Sequence, residues 1–438
     1  MAAIESLSTG TVTLTNASVP SAALGRIGDG SVQKLDITIT EGRISAIRPA
    51  GSAAVDGPAF DLDKGLILPC FVDIHTHLDK GHIWARKVNP DGTWLGALVA
   101  VNEDRESLWA AADVERRMEF SLRCAYAHGT AAIRTHLDSS PPQHEISWTL
   151  FEKVRERWAG RIELQAAAIV GPDTLVDPVA LDQVARQVKA SGGLMGGSVA
   201  VYDRSKEAML AVLDKAGNLG LDVDLHTDET GDPAAHALLH LAEAIVETGF
   251  SGKVMAGHCC VLTVQDERTV KATIDKTVEA GIAIVSLPMC NIYLQDRQNS
   301  GGTVRTPIRR GVTLLNEFKA AGAEVAIASD NTRDPFYAYG DLDGVEVFRE
   351  GARILQFDHP QADAWDWVRA IGSAPAAHGG FAYKAVIEVG GPADLLLFRA
   401  RSWTELNSRP QSDRIVLRQG KAIDRTLPDY RELDDLME

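Results

Sequence analysis

Between residues 70 and 331 the chain repeats one alternation: a short apolar run bounded by polar or glycine-containing turns, then a longer stretch with apolar residues at helical spacing. Eight such runs can be delimited, at 71–77, 131–138, 164–170, 194–201, 221–229, 254–259, 282–289 and 324–331. The stretches between them include DVERRMEFSLRCAYAHG, DPVALDQVARQVKASGG and DPAAHALLHLAEAIVETG, which open on an aspartate cap signal and close on glycine. Strand and helix alternating eight times predict an α/β fold, a (β/α)8 TIM barrel.

The flanks follow another pattern. TVTLTNASV, KLDITIT and GRISAIRPA are short β-prone runs divided by glycine and asparagine turns, and the style returns in ADLLLFRA and RIVLRQGKAI after Gly390–Pro392. Isolated hairpins of this size are marginal, so the two ends are expected to pair as one small β-sandwich. The expected organisation is residues 1–68 as the N-terminal part of the sandwich, 69–385 as the barrel and 386–438 as the C-terminal part. The acidic tail ELDDLME reads as a solvated end.

With 438 residues, 45% hydrophobic and 24% charged, the chain is large enough to bury its own core without staples. Its net charge of −16 repels phosphate backbones, and no stretch concentrates Lys and Arg among aromatics, so nucleic acid and anionic membrane are excluded as partners. The opening MAAIESLSTG has neither a basic start nor an apolar core, and no run approaches the roughly 18 apolar residues of a membrane span. A cytoplasmic location is expected. Cys70, Cys124, Cys259, Cys260 and Cys290 are scattered and form no C-x-x-C pair, which predicts reduced, buried thiols and no disulfide framework.

The chemistry gathers at strand ends. His75 and His77 alternate with Thr76, so in an extended strand both imidazoles point to one face. His226 and Glu229 end the fifth run, His258 the sixth and Asp330 the eighth, at the C-terminal edge where such barrels carry their active sites. Three imidazoles and a carboxylate with one open position make a hydrolytic metal centre. Each residue also has a plain structural role open to it: Asp330 as a helix cap, His258 as a core histidine, Glu229 as a surface carboxylate. His136 faces inward as well, either packing the site floor or touching substrate, while His82, His128, His144, His236, His240, His359 and His378 fall on helices or loops as structural or solvated groups.

LPCFVDIHTHLDK (68–80), HGTAAIRTHLD (128–138), DLHTDE (224–229), AGH (256–258), NIYLQDR (291–297) with RRG (309–311), and SDNTRDPF (329–336) together resemble the amidohydrolase superfamily, and within it the cytosine deaminase group. The resemblance implies that His75, His77, His226 and Asp330 bind one divalent ion, Fe2+ or Zn2+. It further implies that Glu229 shuttles a proton to a ring nitrogen, that His258 orients and polarises the attacking water, and that Asp330 takes the released proton. Binuclear members bridge two metals with a lysine ending strand four; LMGGSVAVYD has none, which favours one metal and deamination over ring opening.

Two departures bear on substrate. Gly171 stands where the cytosine enzymes carry a glutamine, and Asp330-Asn331 replaces their Asp-Asp, a pair seen also in the relatives that remove an alkylamine from N-isopropylammelide. Asn331, Gln295 and His136 are the candidate substrate contacts. The expected activity is metal-dependent hydrolytic deamination of a small N-heterocycle, cytosine or a related aminopyrimidine or aminotriazine, with cytosine not the best of them. The enzymatic alternative is cyclic-amide ring opening of the hydantoinase or dihydroorotase kind. A barrel that binds ligand without turnover would lack a metal ligand or Glu229, and this chain has them all. A homo-oligomer is expected.

Overall fold

In the computed structural model, which describes residues 10–53, 55, 57–297 and 305–438, every one of the eight apolar runs carries a strand. They are β1 (Phe71–Thr76), β2 (Thr130–Asp138), β3 (Glu163–Ile169), β4 (Met195–Val199), β5 (Val223–Thr227), β6 (Val254–His258), β7 (Ala283–Ser286) and β8 (Val325–Ile327). β4 to β8 form a parallel sheet in chain order, and β1, β2 and β3 form a second sheet. Isolated parallel bridges join Thr76 to Asp330 and Ala167 to Leu194. β1, β2 and β5 are buried along their whole length, polar residues included. Strand packing is close enough to demand glycine in β4: a Cβ on Gly196 would lie 2.3 Å from the Ala168 carbonyl oxygen and 2.4 Å from that of Asp224.

The connecting helices largely follow their cap signals. Helix Pro178–Ser191 starts on Asp177, whose carboxylate accepts from the amides of Val179 (2.8 Å) and Ala180 (3.1 Å), and stops on left-handed Gly192. The DPAAH stretch departs from this pattern. Its helix begins only at Ala237, and Asp228, not Asp232, accepts from the first amides, those of Ala237 and Leu238, at 2.9 Å each. The cap thus comes from just beyond β5, tying the helix to the strand end that carries His226.

Met1–Asp73, Arg123–Ala132 and Asp343–Leu427 make one compact unit; Ile74–Leu122, Ile133–Leu342 and Pro428–Glu438 make the other. In the first, Thr11–Pro20, Val32–Thr40 and Arg43–Pro49 pair antiparallel, and Ala59–Asp61 lies parallel to Thr11–Pro20. A second four-stranded sheet joins Leu395–Leu397, Ile415–Arg418 and Lys421–Ala422 to Ile67–Pro69, so a segment from the N-terminal side completes the C-terminal sheet. The opening segment MAAIESLST lies outside the described residues. Among the described residues no helix is long and apolar enough to cross a membrane. All five cysteines are buried.

His82, in the second unit, sits buried at left-handed φ 65° with its ring 4.8 Å from Phe120, and neither ring nitrogen has a hydrogen-bond partner. Burial, with Arg333 adding to it, pushes this imidazole down to about 3. A depressed base is neutral in the fold, so its contribution to stability is full above the ordinary 6.5 and is lost as pH falls below it. His82→Asn, which tolerates left-handed backbone, removes that contribution. Denaturant unfolding at pH 8 and 5 should show the wild-type advantage over the variant shrinking by about 2 kcal/mol; a difference independent of pH would refute the assignment.

Candidate active site

The strand ends bring the predicted ligands to one point. His75 Nε2 lies 3.0 Å from His226 Nε2, which lies 3.2 Å from His77 Nε2. Asp330 Oδ1 is 3.2 Å from His77 Nε2 and 3.7 Å from His75 Nε2. Asp330 is positioned by its amide, which donates to the His75 carbonyl at 2.8 Å, and it adopts left-handed φ 64°. His258 shares that conformation at φ 70°, and strain of this kind, worth about 1–3 kcal/mol a residue, persists only where surrounding structure enforces it. Glycine makes the room: a Cβ on Gly257 would come within 2.9 Å of His75 Cε1.

The donor set suits a divalent cation. Burial drives His75, His77 and His226 well below the usual imidazole range, with the Lys80 and Arg134 charges adding for His75, so all three are neutral and carry lone pairs. Their Nδ1 atoms have no hydrogen-bond partner among the described residues. Facing lone pairs this close repel unless a cation lies between them, and ligands about 2.0–2.2 Å from one ion stand about 3.0–3.6 Å apart. The separations suit a divalent ion, and His75, His226, His258 and Asp330 each offer a ligand atom within 4.8 Å of one another.

Two further acid–base groups adjoin it. Glu229 Oε2 accepts from Trp94 Nε1 at 2.7 Å, and its Oε1 lies 3.4 Å from His258 Nδ1. Burial and the Asp330 charge push the Glu229 carboxyl up to about 8, against the pull of Trp94. His258 Nδ1 is 3.0 Å from Asn291 Nδ2, and the amide donating there leaves the ring proton on Nε2, which lies 4.0 Å from Asp330 Oδ2. Beneath the cluster, Arg134 Nη1 donates to Asp224 at 2.8 Å and Arg134 Nη2 to Gln165 at 2.8 Å.

A cavity of about 330 Å³ opens onto these groups. His77, His226, Glu229, His258 and Asn331 line it, as do Lys80, Phe336, residues 169–174 and the Trp94, Leu98, Val101, Asn102 and Arg105 face of helix Trp94–Leu108. Gly171 adds open space, since a Cβ there would meet nothing within 4 Å. Asn331 is held by Asp334, whose carboxylate accepts from Asn331 Nδ2 at 2.8 Å.

Two candidate contacts do not line this cavity. The Gln295 side-chain oxygen is taken by the Arg309 guanidinium, and His136 is fully buried with its ring 4.0 Å from that of His75 and 3.7 Å from Asp224. Sequence reasoning assigned no role to Lys80 and Asn291, although both stand inside motifs it quoted. It had no signal for Trp94, which opens a helix whose Leu95 and Val99 are exposed.

The Amidohydrolase family model matches residues 161–422. The chain is 53% identical over 427 residues to a pterin deaminase of Rhizobium rhizogenes, covering 97% of this chain and 96% of that one. It is 24% identical over 410 residues to an N-isopropylammelide isopropyl amidohydrolase of a Pseudomonas species, covering 89% and 93%. Among solved structures, a 5-methylcytosine deaminase from Klebsiella pneumoniae superposes with a TM-score of 0.80 at 24% identity, covering 95% of this chain and 98% of that one.

Gly257→Ala tests how tightly the cluster is built. The added methyl should displace the His75 ring and lower kcat/KM by roughly 10²-fold, the usual cost of an ångström-scale misplacement, with the melting temperature changed by only a few degrees. Unaltered kcat/KM would mean that the ring has slack the geometry denies.

Proposed function

The chain belongs to the amidohydrolase family and is a hydrolase acting on C–N bonds, and from that premise we propose that it deaminates a bicyclic amino-oxo heterocycle of the pterin kind. The carrying observation is that three neutral imidazoles and a carboxylate converge, with separations of 3.0–3.7 Å, beside a cavity that His77 and His226 of the cluster line together with Glu229 and His258. The pterin assignment is supported by the 53% identical relative, and by about 330 Å³ of space with Gly171 leaving room where a side chain would fill it. On this reading the eight parallel strands close as a (β/α)8 barrel through the Thr76–Asp330 and Ala167–Leu194 bridges, which places the site at its C-terminal end, and the two four-stranded sheets form a β-sandwich.

His75, His77, His226 and Asp330 would hold one divalent ion, Fe2+ or Zn2+. When bound there, the ion supplies Lewis acidity and a water acidified towards neutrality. His258, its tautomer set by Asn291, presents Nε2–H to the attacking oxygen. Asp330 takes the water proton. Glu229 gives a proton to the ring nitrogen beside the amino-bearing carbon, so the ring accepts the electron pair displaced by the new C–O bond. Collapse of the tetrahedral centre breaks the C–N bond: the amine leaves as ammonia with the proton Asp330 returns, and the hydroxyl proton released as the C=O bond forms passes to Glu229 and restores it.

Purified protein should carry about one Fe2+ or Zn2+ per chain by elemental analysis and release ammonia from pterin with a higher kcat/KM than from cytosine or ammelide. Glu229→Gln should keep the metal while kcat falls by roughly 10²–10⁴-fold. Cytosine leading the panel would refute the pterin assignment, and a variant retaining most of its kcat would refute the proton shuttle.

A further inference from the structure

We infer that Lys80 anchors the substrate, its ammonium donating to a ring oxo oxygen conjugated with the carbon that loses its amine. This rests on the deaminase reading and names a contact that reading does not contain.

Lys80 is 5% exposed, the only buried lysine among the described residues, and it lines the catalytic cavity. The buried guanidinium groups are all bonded: Arg117 to Asp113, Arg134 to Asp224 and Arg414 to Asp343. The Lys80 ammonium has neither a hydrogen bond nor an ion pair to any described residue, and it stands over the Phe336 ring, 4.9 Å from Nζ to the ring centre. A buried charge without hydrogen bonds is costly, and it is kept where a ligand completes it. The carboxylates nearby take their hydrogen bonds from other groups, and Asp79 Oδ1 has none. Asp79 accepts from the Asp138 amide at 2.8 Å and from Ser147 at 3.0 Å, Asp138 from Arg105 at 2.8 Å, and Asp334 from Asn331 at 2.8 Å.

The backbone under this ammonium is clamped. The Lys80 and Gly81 amides turn back to the His77 carbonyl at 3.3 and 3.1 Å. The Arg117 guanidinium binds the carbonyls on both sides of Lys80, those of Asp79 and Gly81, and is itself fixed by Asp113. A rigidly seated cation with unspent N–H donors in an aromatic-lined cavity is a site for an acceptor oxygen on a planar ring. In a ring whose oxo group is conjugated with the attacked carbon, charge flows to that oxygen as the tetrahedral centre forms. The ammonium contact therefore strengthens towards the transition state and appears in kcat as well as KM.

The test compares pterin with 2-aminopteridine, which lacks the oxo group, on wild type, Lys80→Met and Lys80→Arg, with melting temperature and metal content measured beside kcat and KM. Wild type should favour pterin by roughly 10²-fold in kcat/KM, and Lys80→Met should remove most of that preference by losing pterin turnover while 2-aminopteridine changes less than about threefold. Lys80→Arg should recover part of the preference. Equal losses on both rings, or no wild-type preference, would overturn the anchor and leave the deaminase reading standing. If wild type releases ammonia from neither ring the deaminase reading fails, and fluorescence titration with lumazine, the deaminated ring, decides the anchor separately. At least tenfold weaker binding to Lys80→Met would support it, and unchanged binding would overturn it.

Discussion

The constraint on which this structure turns is the confinement of several lone pairs within hydrogen-bond distance of one another in a dry place. His75 and His226 meet through Nε2 atoms 3.0 Å apart, both rings held neutral by burial. Such an arrangement is unfavourable in isolation, and much of the surrounding architecture serves to enforce it. Gly257 yields space to His75, Asp330 is drawn to the end of β1 by a backbone bond to His75, and His258 is turned by a left-handed residue so that Asn291 can hold its far nitrogen. The Asp228 carboxylate, two residues beyond His226, ties that strand end to helix Ala237–Thr248. Local strain at the strand ends is offset by packing in the strands beneath them.

The same confinement divides labour among the charged groups. Arg134 and Asp224 neutralise each other beneath the cluster, where an unpaired charge in the interior would be costly. Above it the Glu229 carboxyl and the Lys80 ammonium face the cavity, one fastened by Trp94 and the other by the backbone clamp of Arg117. A planar ring entering the cavity that Trp94 and Phe336 line meets an acid and a cation whose positions are set before it arrives.

Much of this was legible in the sequence because period and position carry physical meaning. Two histidines separated by one residue at the end of a strand point to one face, and polar residues recurring at strand ends predict convergence once strands lie parallel. Roles that depend on contacts between distant segments were not legible. Trp94 reaches Glu229 across 135 positions, and the helix it opens shows no clear apolar stripe because its face towards the cavity is mixed. Gln295 carries the right chemistry at a motif position, yet Arg309, fourteen residues on, occupies its oxygen. The cap of helix Ala237–Thr248 was misplaced at Asp232 because nothing local distinguishes a cap that precedes the helix from one reaching it from the preceding strand end. Ile67–Pro69 was missed as a strand because three residues leave no period to read.

The central claim is that His75, His77, His226 and Asp330 form one metal centre. Anomalous diffraction at the metal edge on crystals of the purified protein tests it most directly. The account predicts one peak per chain, about 2.0–2.2 Å from the Nε2 atoms of the three histidines and from a carboxylate oxygen of Asp330. A peak bound elsewhere, two peaks at this cluster, or none in protein that turns over its substrate would contradict it.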